Sequence, residues 1–177
     1  MMRPNKTPTA MTTPAIFNFI VKKEDKSITV ERSFNAPLAA VWSAWTEADI
    51  LCKWWAPKPY ECVITALDFR VGGQWRYYMQ GPEGDRHYCR FDYTAVKPKS
   101  SFSGLDGFCD EHGTPIDAMP RMNWENNFSA QDGGTLVRVQ IRFNSEEDLQ
   151  KITAMGFKEG FTQGLDQLEE LFSSGTL

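Results

Sequence analysis

The chain has 177 residues, 41% hydrophobic and 24% charged, the size and balance of one globular domain and not of a disordered or fibrous chain. Its 19 Lys and Arg stand against 23 Asp and Glu, a net charge of −4 with no basic block, which argues against a nucleic-acid partner. No apolar run approaches the ~20 residues of a membrane-spanning helix.

The distinctive quantity is aromatic content: 13%, with 12 Phe, 6 Trp and 5 Tyr. So many rings in a small domain either fill a large core or line a cavity. In chain order, residues 1–15 are rich in Thr and Pro, lack the basic-then-apolar pattern of a secretory signal, and read as a flexible leader to a single domain over 16–174. Cys52, Cys62, Cys89 and Cys109 have no C-x-x-C spacing and only His87 and His112 to join them. They read as free thiols in a reducing cytoplasm, neither a disulfide framework nor a zinc site.

Residues 17–21 form a short apolar arm, followed by the charged turn Lys22-Lys23-Glu24-Asp25-Lys26. Over 27–34, Ile28, Val30 and Arg32 alternate with Thr29, Glu31 and Ser33, the period of a strand, so the two segments predict a hairpin. Asn35-Ala36-Pro37 then opens a helix, with Leu38, Val41, Trp42 and Trp45 at i, i+3, i+4 and i+7. A second short helix over 47–54 stops where Pro57 and Pro59 forbid continuation.

The pattern then turns to strands, at 60–69 and 74–80, with Gly81-Pro82-Glu83-Gly84 as a turn signal. A three-residue loop of Pro82, Glu83 and Gly84, with the glycine left-handed, sets Tyr77 opposite Cys89 and Met79 opposite His87. Trp75, Tyr77 and Met79 therefore share a face with His87, Cys89, Phe91 and Tyr93. Further strands are expected at 101–109, 121–130 and 135–143, the last two joined by Asp132-Gly133-Gly134.

One long helix closes the chain, capped by Ser145 with Asp148 three residues on, and running to about Phe172. Gly156, Gly160 and Gly164 lie along it at intervals of four, each unfavourable by up to ~1 kcal/mol against alanine. Two readings stay open. Either the helix backbone packs very close to the sheet, or the missing side chains leave room for a ligand.

The run from Ile28 to Pro37 (Ile-Thr-Val-Glu-Arg-Ser-Phe-Asn-Ala-Pro) resembles the strand-into-helix opening of the START-like, or SRPBCC, helix-grip superfamily. Val41-Trp42-Ser43-Ala44-Trp45-Thr46, Lys53-Trp54-Trp55-Ala56-Pro57, the stretch from Asp68 to Tyr77, the Met79–Gly84 turn and the helical segment from Ala154 to Phe161 are similar to the branch related to the activator of heat-shock protein 90 ATPase. The resemblance spans about 27–172. It implies an α+β helix-grip fold: a curved antiparallel sheet of six to seven strands wrapped around a long C-terminal helix, with two short helices after the first long strand.

It also implies a deep cavity between the concave face and that helix. The register places Trp75, Tyr77, Met79, His87, Cys89, Phe91 and Tyr93 there; Phe108, Trp124 and Phe157 join them by the parity of their elements, and Trp54 and Trp55 stand where they would close one end. His87 reads either as a satisfied core or rim histidine or as an acid–base group, with no nucleophile motif or partner carboxylate beside it. Asp106, Asp110 and Glu111 lack the convergent spacing of an oxygen-ligand site, and no cofactor motif is present.

The leading expectation is binding of a small hydrophobic or amphipathic ligand in this cavity. The resemblance supplies an alternative, a protein-binding module acting on a chaperone, although the activator's additional N-terminal domain has no counterpart here. A cyclase- or hydrolase-like enzyme using His87 or Tyr77 is third. Monomer and homodimer both stay open.

Overall fold

The computed structural model describes residues 15–177, so the expected leader lies outside the described residues except for Ala15. The expected hairpin forms from β1 (Phe17–Lys22) and β2 (Ser27–Phe34), with Lys26 in the left-handed conformation of its turn. After α1 (Leu38–Thr46) and α2 (Ala48–Leu51) come β3 (Glu61–Leu67), β4 (Gln74–Gln80), β5 (Arg86–Lys97), β6 (Ser101–Phe108), β7 (Met122–Gln131) and β8 (Gly134–Arg142).

All eight strands join one antiparallel sheet in the order β1-β2-β8-β7-β6-β5-β4-β3. The count exceeds the expected six to seven because the hairpin's outer arm pairs along its full length with β2 and extends the same sheet. Register slips of one residue in β3, between Ile64 and Ala66, and in β5, between Tyr93 and Ala95, are bulges of the kind that bend a sheet.

The β4–β5 register follows the loop chemistry. Gly81 N–H donates to Asp85 O across a loop of Pro82, Glu83 and left-handed Gly84, and Tyr77 pairs with Cys89 and Met79 with His87. Gly104 in β6 is needed for close approach, because a Cβ there would fall 2.2 Å from the Phe91 ring and 2.5 Å from the Asp92 carbonyl.

The C-terminal helix is not continuous. Ser145 caps α3 (Glu146–Ala154), its Oγ accepting from Asp148 N–H at 3.0 Å, but the helix ends at Met155 and restarts as α4 (Phe157–Ser173). Gly156 at φ 87° makes the break, a conformation that costs glycine little and other residues more. Helical periodicity runs through both segments, so the apolar pattern alone does not reveal the interruption.

α4 buries Phe161, Gly164, Leu165, Gln167 and Leu168 against the rest of the fold. Gln167 also ties the Trp-Pro loop to this helix. Its Nε2 donates to the carbonyls of Trp54 and Ala56, both at 2.8 Å, and its Oε1 accepts from Lys58 N–H at 3.0 Å. Trp54 in turn donates its indole N–H to the Ala44 carbonyl at the end of α1, 2.9 Å away. A buried amide with both ends satisfied holds a loop that two prolines keep out of regular structure.

Candidate functional site

The three glycines of the C-terminal segment do three different things. Gly156 breaks the helix. A Cβ on Gly164 would stand 3.3 Å from the carbonyl oxygens of both Trp54 and Trp55, so this glycine serves close packing, against the loop and not against the sheet. Gly160 faces an interior cavity, where a Cβ would meet only Pro57, at 3.7 Å. The close approach expected of the helix backbone is therefore made at Gly164, to the loop in place of the sheet, while Gly160 leaves open space beside the cavity.

The cavity has a volume of about 240 Å³. Tyr77, Met79, Cys89, Asp106, Phe108, Met122 and Trp124 come to it from β4 to β7; Ile152, Met155, Phe157, Gly160 and Phe161 come from α3 and α4; Trp55 and Pro57 close one side. Met155 is 55% exposed, so the cavity reaches the surface at the α3–α4 break.

Six of the sixteen lining residues are aromatic. Phe157 and Phe161 stack at 5.4 Å, Trp124 meets Phe161 edge-on at 5.5 Å, and Trp55 lies 6.1 Å from Trp124 and 6.0 Å from Phe161. The Trp124 indole N–H has no hydrogen-bond partner among the described residues.

Of the residues expected at the cavity, Trp55, Tyr77, Met79, Cys89, Phe108, Trp124 and Phe157 line it. Trp75, Phe91 and Tyr93 do not. They share the expected face, but Trp55 covers Trp75 at 4.9 Å, and Phe69 covers Tyr93 at 5.0 Å. Trp42 completes this packed half of the concave face, meeting Phe69, Phe102 and Phe128 at 5.7, 6.0 and 5.1 Å. Trp54, fully buried, belongs to the core as well.

His87 is the clearest correction. It has the right parity, but it sits near the tip of the hairpin with its side chain half exposed. There Asp85 in the turn engages its Nε2 at 3.1 Å and Tyr60 packs 5.7 Å from its ring. Tyr60 donates its hydroxyl to the same Asp85 oxygen at 2.9 Å. These groups form a surface cluster outside the cavity.

The polar chemistry inside the cavity centres on a residue that spacing did not single out as a site residue. Asp106 lies inside β6, 9% exposed, between Phe91 of β5 and Met122 of β7. Burial pushes its carboxyl from the ordinary 3.8 up to about 7, against the opposing pull of the Gly107 backbone N–H and the Arg121 charge. The signal was present in the sequence: Phe102, Gly104, Asp106 and Phe108 alternate on the inward face, so one charge interrupts an otherwise apolar row.

Tyr77 accepts the Trp55 indole N–H on its Oη at 2.8 Å, which holds Trp55 across the cavity's side. Burial, with Cys89 and Asp106 nearby, raises Tyr77 well above its ordinary range; burial and Asp106 raise the Cys89 thiol likewise. Both stay neutral at physiological pH, which leaves Asp106 as the cavity residue whose charge changes there. All four cysteines are free thiols. Among the described residues no three or more His, Cys, Asp or Glu side chains converge as metal ligands would, and no helix is long and apolar enough to cross a membrane.

A curved antiparallel sheet gripping a C-terminal helix, with a cavity between them, is the helix-grip architecture of the START-like group. Within it, the chain belongs to the family described as Activator of Hsp90 ATPase homolog 1-like protein, whose model matches residues 35–173. Similar solved structures include a Mycobacterium smegmatis protein at 29% identity and TM-score 0.82, covering 92% of this chain and 99% of that one. An Arthrobacter aurescens protein, at 27% identity and TM-score 0.83, covers 94% of this chain and 93% of its own. A Staphylococcus epidermidis protein, at 27% identity and TM-score 0.77, covers 88% of this chain and 94% of its own. No curated protein matches the chain in sequence.

Proposed function

We propose that this protein binds a small hydrophobic or amphipathic molecule in the cavity between β4–β7 and the α3–α4 segment. The observation that carries the reading is the contrast between the two halves of the concave face. One half is filled by Trp42, Phe69, Tyr93, Phe102 and Phe128, while the other keeps about 240 Å³ open between Trp55, Trp124, Phe157 and Phe161. That is the room of about eight waters at ~30 Å³ each, suited to a compact ligand and below the size of most drug-sized pockets. An apolar wall with few polar groups is the usual composition of a small-molecule site.

Tryptophan fluorescence or calorimetry with the neutral probe 2-phenylethanol tests this reading, with Gly160→Phe as a variant that fills the cavity from its open side. Saturable binding by the wild type and its loss in a folded Gly160→Phe protein are expected. Undiminished binding by the variant, or failure of the wild type to bind 2-phenylethanol and also its charged isosteres 2-phenylethylamine and phenylacetate, would overturn the proposal. Native mass spectrometry of protein purified without added ligand is a second route to the same answer.

The family's name supports a second reading, a module that acts on the ATPase of an Hsp90-type chaperone. It predicts a change in chaperone ATPase rate on adding the protein. Absence of both binding and rate change ends it. A cyclase- or hydrolase-like activity resting on His87 lacks its geometric requirement, because His87 stands outside the cavity.

A further inference from the structure

The cavity wall carries one carboxyl group, and that group has no ion pair. Asp106 engages in none of the side-chain ion pairs found among the described residues. Arg121, whose charge is felt by Asp106, gives its guanidinium to Asp92 instead, which also receives Arg90 at 3.0 Å.

The groups facing Asp106 from the surrounding elements are few. Tyr77 comes from β4, Cys89 from β5, Cys109 from just past β6 and Arg121 from just before β7. From α3 and α4 the cavity receives Ile152, Met155, Phe157 and Phe161, none of them charged. Only the Gly107 backbone N–H and the Arg121 charge favour the ionised form of the carboxyl, and burial outweighs both. A carboxylate in such a wall loses its hydration without a compensating charge, which is unfavourable until a cation arrives.

Three ligand classes meet this wall differently. An anionic amphiphile places a second negative charge beside the first in a low-dielectric space, which is repulsive. A neutral molecule leaves an ionised Asp106 unpaired. A protonated amine supplies the missing charge, and the faces of Trp55, Trp124, Phe157 and Phe161 accept a cation's flank while packing its hydrocarbon.

Building on the ligand-binding reading above, we infer that the cavity's ligand is a compact apolar amine, its protonated nitrogen paired with Asp106 and its hydrocarbon packed against the aromatic wall.

The test is a near-isosteric panel of 2-phenylethylamine, 2-phenylethanol and phenylacetate, titrated into the wild type and into Asp106→Asn at pH 8 and pH 5.5. At pH 8 the amine binds the wild type at least tenfold more tightly than the alcohol, and phenylacetate binds weakest. Amine affinity falls by up to about 30-fold at pH 5.5, because an Asp106 with a folded value of about 7 is then mostly protonated. Asp106→Asn loses the amine preference and keeps the alcohol.

A wild type that takes phenylacetate as tightly as the amine refutes the inference, as does an amine preference that survives in Asp106→Asn. Alcohol binding without amine preference removes this inference alone, whereas failure of all three probes removes the ligand-binding reading with it. Should Asp106→Asn not fold, the wild-type panel and its pH dependence decide the matter by themselves.

Discussion

Replacing Asp106 by Asn in the unliganded protein should stabilise it, and the gain should depend on pH in a stated way. The folded carboxyl holds its proton up to about pH 7, against an ordinary value of 3.8. Below 3.8 both the folded and unfolded chains carry the proton, so the carboxyl adds no pH dependence. Between 3.8 and 7 the unfolded chain has released it while the folded chain still binds it, so stability falls as pH rises. Above about 7 both have released it and the loss is complete.

The shift spans about three decades of proton affinity at ~1.4 kcal/mol each, so ionised Asp106 costs the fold about 4 kcal/mol at pH 8. The residue is 9% exposed, so solvent screening takes little from this figure. Asparagine keeps the shape and has no charge to bury. Urea unfolding of both proteins from pH 4 to pH 8 measures the effect as a difference. Asn's advantage should grow by about 4 kcal/mol across that range, equivalent to about 10 °C in melting temperature at pH 8 for a chain of this length. An advantage that stays constant within ~1 kcal/mol would mean that Asp106 ionises in the folded protein as it does in water.

The C-terminal glycines give a paired prediction for thermal melts. Gly160→Ala should raise stability by up to ~1 kcal/mol, since its Cβ meets only Pro57 at 3.7 Å and alanine favours the helix. Gly164→Ala should lower it by ~1 kcal/mol, because its Cβ lies 3.3 Å from two carbonyls of a loop that Gln167 holds in place. Gln167→Ala leaves the Trp54 and Ala56 carbonyls and the Lys58 N–H without this partner, and should cost about 2–4 kcal/mol in urea unfolding. Ser145→Ala removes the cap of α3 and should cost ~1 kcal/mol, visible as a loss of 2–4 °C in melting temperature.

Local chemistry was legible in the amino-acid order. A left-handed Gly84 after Pro82 and Glu83 set the hairpin loop, and two-residue periodicity then fixed which side chains share a face, so Tyr77 meets Cys89 and Met79 meets His87 as expected. Ser145 caps α3 because a hydroxyl there reaches an N–H three residues on, whatever the helix later packs against. The break at Gly156 leaves no mark in the apolar pattern, because apolar residues recur at helical spacing on both sides of it.

The aromatic content posed a choice between core and cavity that only tertiary packing resolves. Parity assigns a ring to a face of the sheet; it does not say what covers that ring. Trp75 and Tyr77 are neighbours on one strand face, stacked at 4.4 Å, yet Trp75 lies in the packed core and Tyr77 at the cavity. The difference comes from Trp55 and from α4, which reach those positions from far along the chain. Asp106 teaches the same lesson in charge: its inward position follows from alternation, whereas its isolation follows from Arg121 pairing with Asp92 and from uncharged helix residues standing opposite. Periodicity is a property of neighbours in sequence; the shape of a cavity and the partners of a buried charge belong to segments that meet only when the chain has folded.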